Sequence, residues 1–183
     1  LIRVSSPQVT PGLGPSTWQG TIEDVGAGRA SGWAAYAAGV PWALDRDGYE
    51  VMGFDATIHG QVPLGAGLSS SAALECAVAI ALKDIAGLDA DRTDLATACV
   101  AAENEIAGAN TGGMDQLAAL CCCAGSALLV NCAEGTFDQI PLDLETLGLS
   151  LLVIDTNVHH QLEDGQYGAR RKMCEQAAEI LGL

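Results

Sequence analysis

Between Pro63 and Leu74 the chain reads PLGAGLSSSAAL and then runs on into a long alanine-rich stretch with helical spacing. Gly65 and Gly67 free the backbone to wrap around an anion, because glycine accepts positive φ and has no Cβ to hold a ligand away. Ser69, Ser70 and Ser71 follow at the predicted start of a helix. Unpaired N–H groups and the positive end of the helix dipole favour phosphate there. The segment reads as a phosphate cradle and points to a nucleotide-using enzyme. A plainer reading, a glycine-rich turn before a serine-capped helix, fits the same residues equally well.

Familiar loops can be tested against residues 63–71. A P-loop requires G-x-x-x-x-G-K-S/T, and no lysine occurs before Lys83. A dinucleotide-binding fingerprint requires glycine where Ser70 stands, and Pro63 interrupts the strand that should precede it. The G-x-S-x-G elbow of hydrolases requires glycine at Ser71. What is left is a lysine-free cradle of amides and hydroxyls. A triphosphate held there needs another cation, so Mg2+ is implied, and Mg2+ typically takes only one or two protein oxygens.

Composition narrows the class further. With 183 residues, 49% of them apolar and 17% charged, the chain can bury one sizeable core, or one core and part of a second. A net charge of -15 with only eight Lys and Arg argues against nucleic acid, which needs clustered cations. The basic triplet Arg170-Arg171-Lys172 reads as a solvated helix face. The apolar charge-free window of residues 116–133 contains Gly125, Ser126 and Asn131, so it reads as helix, turn and strand rather than a membrane span. Seven cysteines follow no disulfide spacing, which fits reduced core thiols in a cytoplasmic protein. Cys121, Cys122 and Cys123 would point about 100° apart on a helix, and no C-x-x-C pair accompanies them, so zinc is not expected. Leu1 opens a strand-like LIRV with no leader pattern before it, and Leu183 falls inside a helical pattern. The chain is expected to be an internal piece of a longer one.

The pattern along the chain predicts a loop over residues 7–20 and a helix over 29–44, with Pro41 as a kink or end. A strand is predicted over 49–59, then a helix from Ser69 to Ala86 stopped near Gly87. Asp91 or Thr93 can cap the next helix, which reaches about Ile106; the turn GANTGG leads to another helix from Met114 to about Ala124. Strands are predicted over 127–132, 136–140 and 149–155, and a last helix from about Glu163. The change from helices to strands near Gly125 marks the expected domain boundary. His159 and His160 read as neighbours on an extended segment, facing opposite ways.

Four segments in this order, GWAAYAAGVPWAL, PLGAGLSSSAALE, AENEIAGANTGGMDQLAAL and VIDTNVHHQLEDGQYGARRKMCE, resemble galactokinases of the GHMP small-molecule kinase superfamily over nearly the whole chain. The glycine-serine loop is shared across the superfamily, and the last two segments point to galactokinase more narrowly. The resemblance implies an α+β fold. A GHMP N-terminal domain of the ribosomal protein S5 domain 2-like type would occupy residues 1–125, and the beginning of the C-terminal α+β domain residues 126–183.

Carried onto this sequence, the resemblance assigns ATP binding to Gly65, Ala66, Gly67, Leu68, Ser69, Ser70 and Ser71, and places the aromatic Trp33 near adenine. It assigns Mg2+ to Ser71 and Glu103, the catalytic carboxylate to Asp115 within T-G-x-M-D-Q, and sugar contacts to Gly112 and to Tyr167 within E-Y-x-x-R-R. The residues read alone are compatible with those roles. Glu103 lies late in one helix and Asp115 opens the next across a tight turn, which can bring both carboxylates toward one cleft. A capping aspartate, a solvated helix glutamate and a surface tyrosine are the plainer readings of Asp115, Glu103 and Tyr167. The sequence departs from the family pattern at Gly113, usually a bulky apolar residue, and at Asn110, usually small or proline. The family's N-terminal motif G-R-x-N-L-I-G-E-H-x-D-Y and its third, glycine-rich motif do not occur in this chain.

The implied activity is transfer of the γ-phosphoryl group of ATP to the anomeric hydroxyl of D-galactose. Small molecules are the expected partners, with no nucleic acid and no membrane, in a monomeric cytoplasmic protein. This piece by itself is expected to be inactive. Three alternatives stand beside it: a related kinase acting on N-acetylgalactosamine, mevalonate or homoserine; a galactose- and ATP-binding regulator without turnover; and a piece that does not fold alone.

Overall fold

Ile2 and Val4 alternate with Arg3 and Ser5, and this period of two makes β1 (Ile2–Ser5), with its two aliphatic side chains buried and Arg3 in solvent. A computed structural model describes residues 1–9, 14–26, 28–131, 134–154 and 166–182, the side chains of residues 166 and 167 excepted. β1 is the middle strand of a three-stranded sheet ordered β2-β1-β3. It pairs antiparallel with β2 (Thr17–Gly20) and parallel with β3 (Phe54–Thr57). The strand expected over 49–59 is thus shorter, because β1 offers only Ile2 to Ser5 as ladder partners for Phe54 to Thr57. The loop expected over residues 7–20 likewise gives way to β2 at its end.

The short helix α1 (Ile22–Gly26) precedes α2 (Trp33–Arg46), which passes through Pro41 without ending. Proline there removes one backbone hydrogen bond. However, α2 is the central helix, packed on α1, α3 (Ser70–Ala86), α4 (Arg92–Ala101) and a π-helical turn (Ala102–Ala107), and it buries Ala34, Val40, Ala43 and Leu44. That burial outweighs the lost bond.

α3 runs as the sequence predicts and stops at Gly87, which takes the left-handed conformation. Asp91 is the cap of α4. It accepts from the backbone N–H groups of Thr93 and Asp94 at 2.7 and 2.8 Å, while Asp94 accepts from the Asp91 N–H at 2.9 Å. α5 (Met114–Cys121) follows the GANTGG turn. The main core joins Val4 of the sheet to Val40, Leu44, Leu82, Leu95 and Leu120 of the helices.

Beyond it, β4 (Ser126–Asn131) and β5 (Thr136–Pro141) form a hairpin whose Leu128 and Phe137 rest on that core. The strand expected over 149–155 does not form across 149–154, where no ladder partner meets it among the described residues, and Asp155 lies outside them. The last helix is described as α6 (Gln166–Leu181); residues 163–165 of its predicted start, and His159 and His160, lie outside the described residues. Among the described residues no helix is long and apolar enough to cross a membrane. Cys76, Cys99 and Cys121 are free and buried, whereas the free thiols Cys123 and Cys174 are exposed rather than in the core.

Candidate active site

The glycine-serine loop enters α3 with alternate residues turned left-handed: Gly65 at φ 73°, Gly67 at φ 70° and Ser69 at φ 54°. Such alternation turns successive amide groups toward one concave side, the backbone arrangement that receives anions. A serine with positive φ is costly, by about 1–3 kcal/mol, and such strain concentrates at functional sites. Ser69 is the N-cap of α3 yet its side chain makes no capping hydrogen bond. The plain serine-cap reading therefore does not describe this helix start, and the orphan N–H groups of its first turn remain available.

Beside the loop, a cavity of about 770 Å3 opens between α3 and β3. Trp33, Phe54, Ile58, Leu64, Leu74 and Val78 supply apolar walls, and Ser70 lies at its edge. Trp33 is pinned there by its indole N–H, which donates to the Pro15 carbonyl at 2.9 Å. The size and mostly apolar lining fall in the range of small-molecule pockets.

Glu103 sits in the π-helical turn, a distortion frequently found at functional sites, and is only 2% exposed. Its Oε2 accepts from Thr111 Oγ1 at 2.6 Å and from Gln116 Nε2 at 2.6 Å. The turn between them is closed by Asn104, whose side chain accepts from the Thr111 N–H at 2.6 Å and donates to the Thr111 carbonyl at 3.2 Å. Asn110 takes a left-handed φ of 49° within this turn, a conformation asparagine tolerates better than most residues. Gly113 has φ 81°, and a Cβ there would stand 2.8 Å from Val100. Glycine at that departure from the family pattern is thus required both by conformation and by close packing.

Gln116 also donates to Glu75 Oε2 at 2.9 Å, so one amide nitrogen joins α3, α5 and the π-helical turn. Glu75 is fully buried, and burial pushes its carboxyl up to about 9; the Gln116 hydrogen bond opposes this and the nearby Glu103 adds to it. Neither Glu75 nor Gln116 stood among the residues the sequence reading assigned to the site. The available signals were a glutamate one helical turn after Ser71 in an apolar stretch, and a glutamine beside Asp115.

Asp115 and Gln116 are neighbours at the start of α5 and point about 100° apart; Gln116 enters the core while Asp115 stays exposed, as does Gly112. The elements that carry the serine loop, Glu103 and Asp115 therefore touch at Gln116. Tyr167 belongs to α6 by its backbone, and its side chain lies outside the described residues.

The residues present fit a divalent cation. Glu103 Oε1 is buried with no hydrogen-bond partner among the described residues, and hard unpartnered carboxylate oxygens are what Mg2+ takes. Among the described residues no group of three or more His, Cys, Asp or Glu side chains could hold a metal. That suits an ion completed by phosphates and water rather than an all-protein cage.

This chain is similar to several galactokinases. Galactokinase from Streptomyces coelicolor is 45% identical over 162 residues, 88% of this chain and 42% of the relative. Galactokinase from Exiguobacterium sibiricum is 40% identical over 160 residues, covering 87% of this chain and 40% of the relative. A crystal structure of Lactococcus lactis galactokinase complexed with galactose superposes with a TM-score of 0.82 at 26% identity, covering 99% of this chain and 46% of that one. The chain thus spans less than half the length of the relatives it matches. Residues 25–123 match the GHMP kinases N terminal domain. That stretch is more than half of the chain and holds the serine loop, Glu103 and Asp115, and the chain belongs to the GHMP kinases.

Proposed function

We propose that this chain carries the nucleotide-binding part of a galactokinase, which transfers the γ-phosphoryl group of ATP to the anomeric hydroxyl of D-galactose and releases galactose 1-phosphate and ADP. The observation that carries the reading is the strained, uncapped serine loop at the start of α3, linked through Glu75 and Gln116 to a buried Glu103 with an unpartnered oxygen. The similarity to galactokinases supports the choice of sugar.

In this reading the amides of Gly65 to Ser71 cradle the phosphates and the cavity against Trp33 receives adenine. Ser71 and Glu103 hold Mg2+, which supplies positive charge for the phosphate oxygens where this loop has no lysine. Asp115, exposed at the helix start, accepts the proton of the anomeric hydroxyl as its oxygen bonds to phosphorus and the bond to ADP breaks. Gly112 and Tyr167 contact the sugar. Residues 1–125 are assigned to the N-terminal domain and 126–183 to the start of the next, in a monomeric cytoplasmic enzyme acting on small molecules.

An ADP-release assay on the full-length protein, offered galactose, N-acetylgalactosamine, mevalonate and homoserine, tests this. Galactose is expected to give the highest kcat/KM. Preference for another acceptor overturns the sugar assignment, and binding of galactose and ATP without ADP release favours a regulator.

A further inference from the structure

Behind the candidate site three buried polar side chains from three elements converge. Glu75 of α3 is 0% exposed, Glu103 of the π-helical turn 2% and Gln116 of α5 1%. A glutamine amide nitrogen has two hydrogens, and here both are used, one on Glu75 Oε2 and one on Glu103 Oε2. The remaining oxygens, Glu75 Oε1, Glu103 Oε1 and Gln116 Oε1, have no hydrogen-bond partner among the described residues.

As a purely structural device this is a poor one. Buried polar atoms left unpaired cost stability, and apolar side chains of similar volume generally serve a core as well or better. The placement makes sense for a different purpose. Glu75 lies one helical turn beyond Ser71, on the same face of α3. Glu103 is the proposed metal ligand, and Gln116 adjoins Asp115 in the first turn of α5. One amide therefore touches each of the elements that carry the serine loop, the metal-binding carboxylate and the base.

We infer that Gln116 is a positioning residue for phosphoryl transfer: anchored on Glu75, it orients Glu103 and holds the helix start bearing Asp115 in register with the serine loop. The inference rests on the kinase reading above. Thr111, the other donor to Glu103 Oε2, fixes only the turn side of that carboxylate. The link to α3 runs through Gln116.

The test compares wild type, Gln116→Met and Glu75→Gln in the full-length protein, with kcat, KM for ATP, Mg2+ requirement and Tm measured together. Gln116→Met keeps the volume and removes the amide. It is expected to lower kcat and raise the half-maximal Mg2+ concentration by about 10- to 100-fold, the usual cost of losing a partner that orients a metal ligand. KM for ATP should change little, while Tm should fall by a few degrees because the Glu75 oxygen loses its donor. Glu75→Gln keeps the shape and an oxygen for the Gln116 amide, and its loss in kcat is expected to stay below about threefold. If Gln116→Met does not fold, Gln116→Asn takes its place, since its shorter amide cannot span both carboxylates. A Gln116 variant with wild-type kcat and Mg2+ requirement overturns the inference while leaving the kinase reading intact. A folded wild type without phosphoryl transfer overturns both.

Discussion

Residues up to Cys121 and residues beyond Ser126 are both rich in aliphatic side chains, yet they treat them in opposite ways. In the first region Val4, Val40, Leu44 and Leu95 are 0% exposed and Leu120 is 2% exposed. In the second, Leu129 is 61% exposed, Leu151 80%, Leu152 79%, Ile154 72% and Ile180 84%. The first region has a central helix, α2, with partners on several sides, so its apolar faces cover one another. The second consists of a hairpin that rests on the core through Leu128 and Phe137, and a helix whose Met173, Ile180 and Leu181 face outward. Apolar content alone does not create a core; an arrangement of facing surfaces does. Stability and the candidate chemistry both reside where that arrangement exists.

The sharpest way to break the comparison is chemical. Asp115→Asn, a change on the exposed surface of the first region, should lower turnover of the full-length protein by about 10²–10⁴ while ATP binding persists. Near-wild-type turnover removes Asp115 from its role. Next in size is packing. Leu95→Ala empties a fully buried site and should lower the unfolding free energy by about 2–5 kcal/mol. Leu152→Ala, in the second region, should change it by no more than about 0.5 kcal/mol. Denaturant titration of both variants checks the contrast, and equal losses would erase it.

A pH-dependent effect, small per pH unit, concerns Glu75. Its carboxyl sits at about 9 in the folded protein against an ordinary value of 4.5, raised chiefly by burial. The folded state therefore holds a proton that the unfolded state releases. Glu75 favours folding fully below 4.5, and that contribution is lost as pH rises from 4.5 toward about 9. Relative to Glu75→Gln, wild-type stability should decline across this window by up to about 1.4 kcal/mol per pH unit. Parallel stability curves for the two proteins would show that Glu75 does not titrate in this way.

Much of the local structure was legible because local rules govern it. α3 was readable from its alanine-rich spacing and the terminal Gly87, and the start of α4 from Asp91 or Thr93 as alternative caps, of which the structure uses Asp91. Strands predicted over 127–132 and 136–140 correspond to β4 and β5, whose antiparallel pairing the sequence left unstated. The misreadings share a cause. Residues 49–59 and 149–155 look extended, but a strand exists only where another strand lies beside it, and that partner is distant in sequence or not present among the described residues. α1 was too short to announce itself through periodicity.

The site divides along the same line. The glycines and serines of residues 65–71, the GANTGG turn and the Met-Asp-Gln start of α5 carry their conformational preferences within a few residues, so the loop before α3 and the helix start at Met114 could be read directly. Whether Glu103 faces solvent or the interior could not, and neither could the partnership of Glu75 with Gln116, 41 positions apart. A carboxyl group's environment is set by what packs around it rather than by its neighbours along the chain. Only the folding of α3, α5 and the π-helical turn onto one another joined the helix after the glycine-serine loop to Glu103 through Gln116.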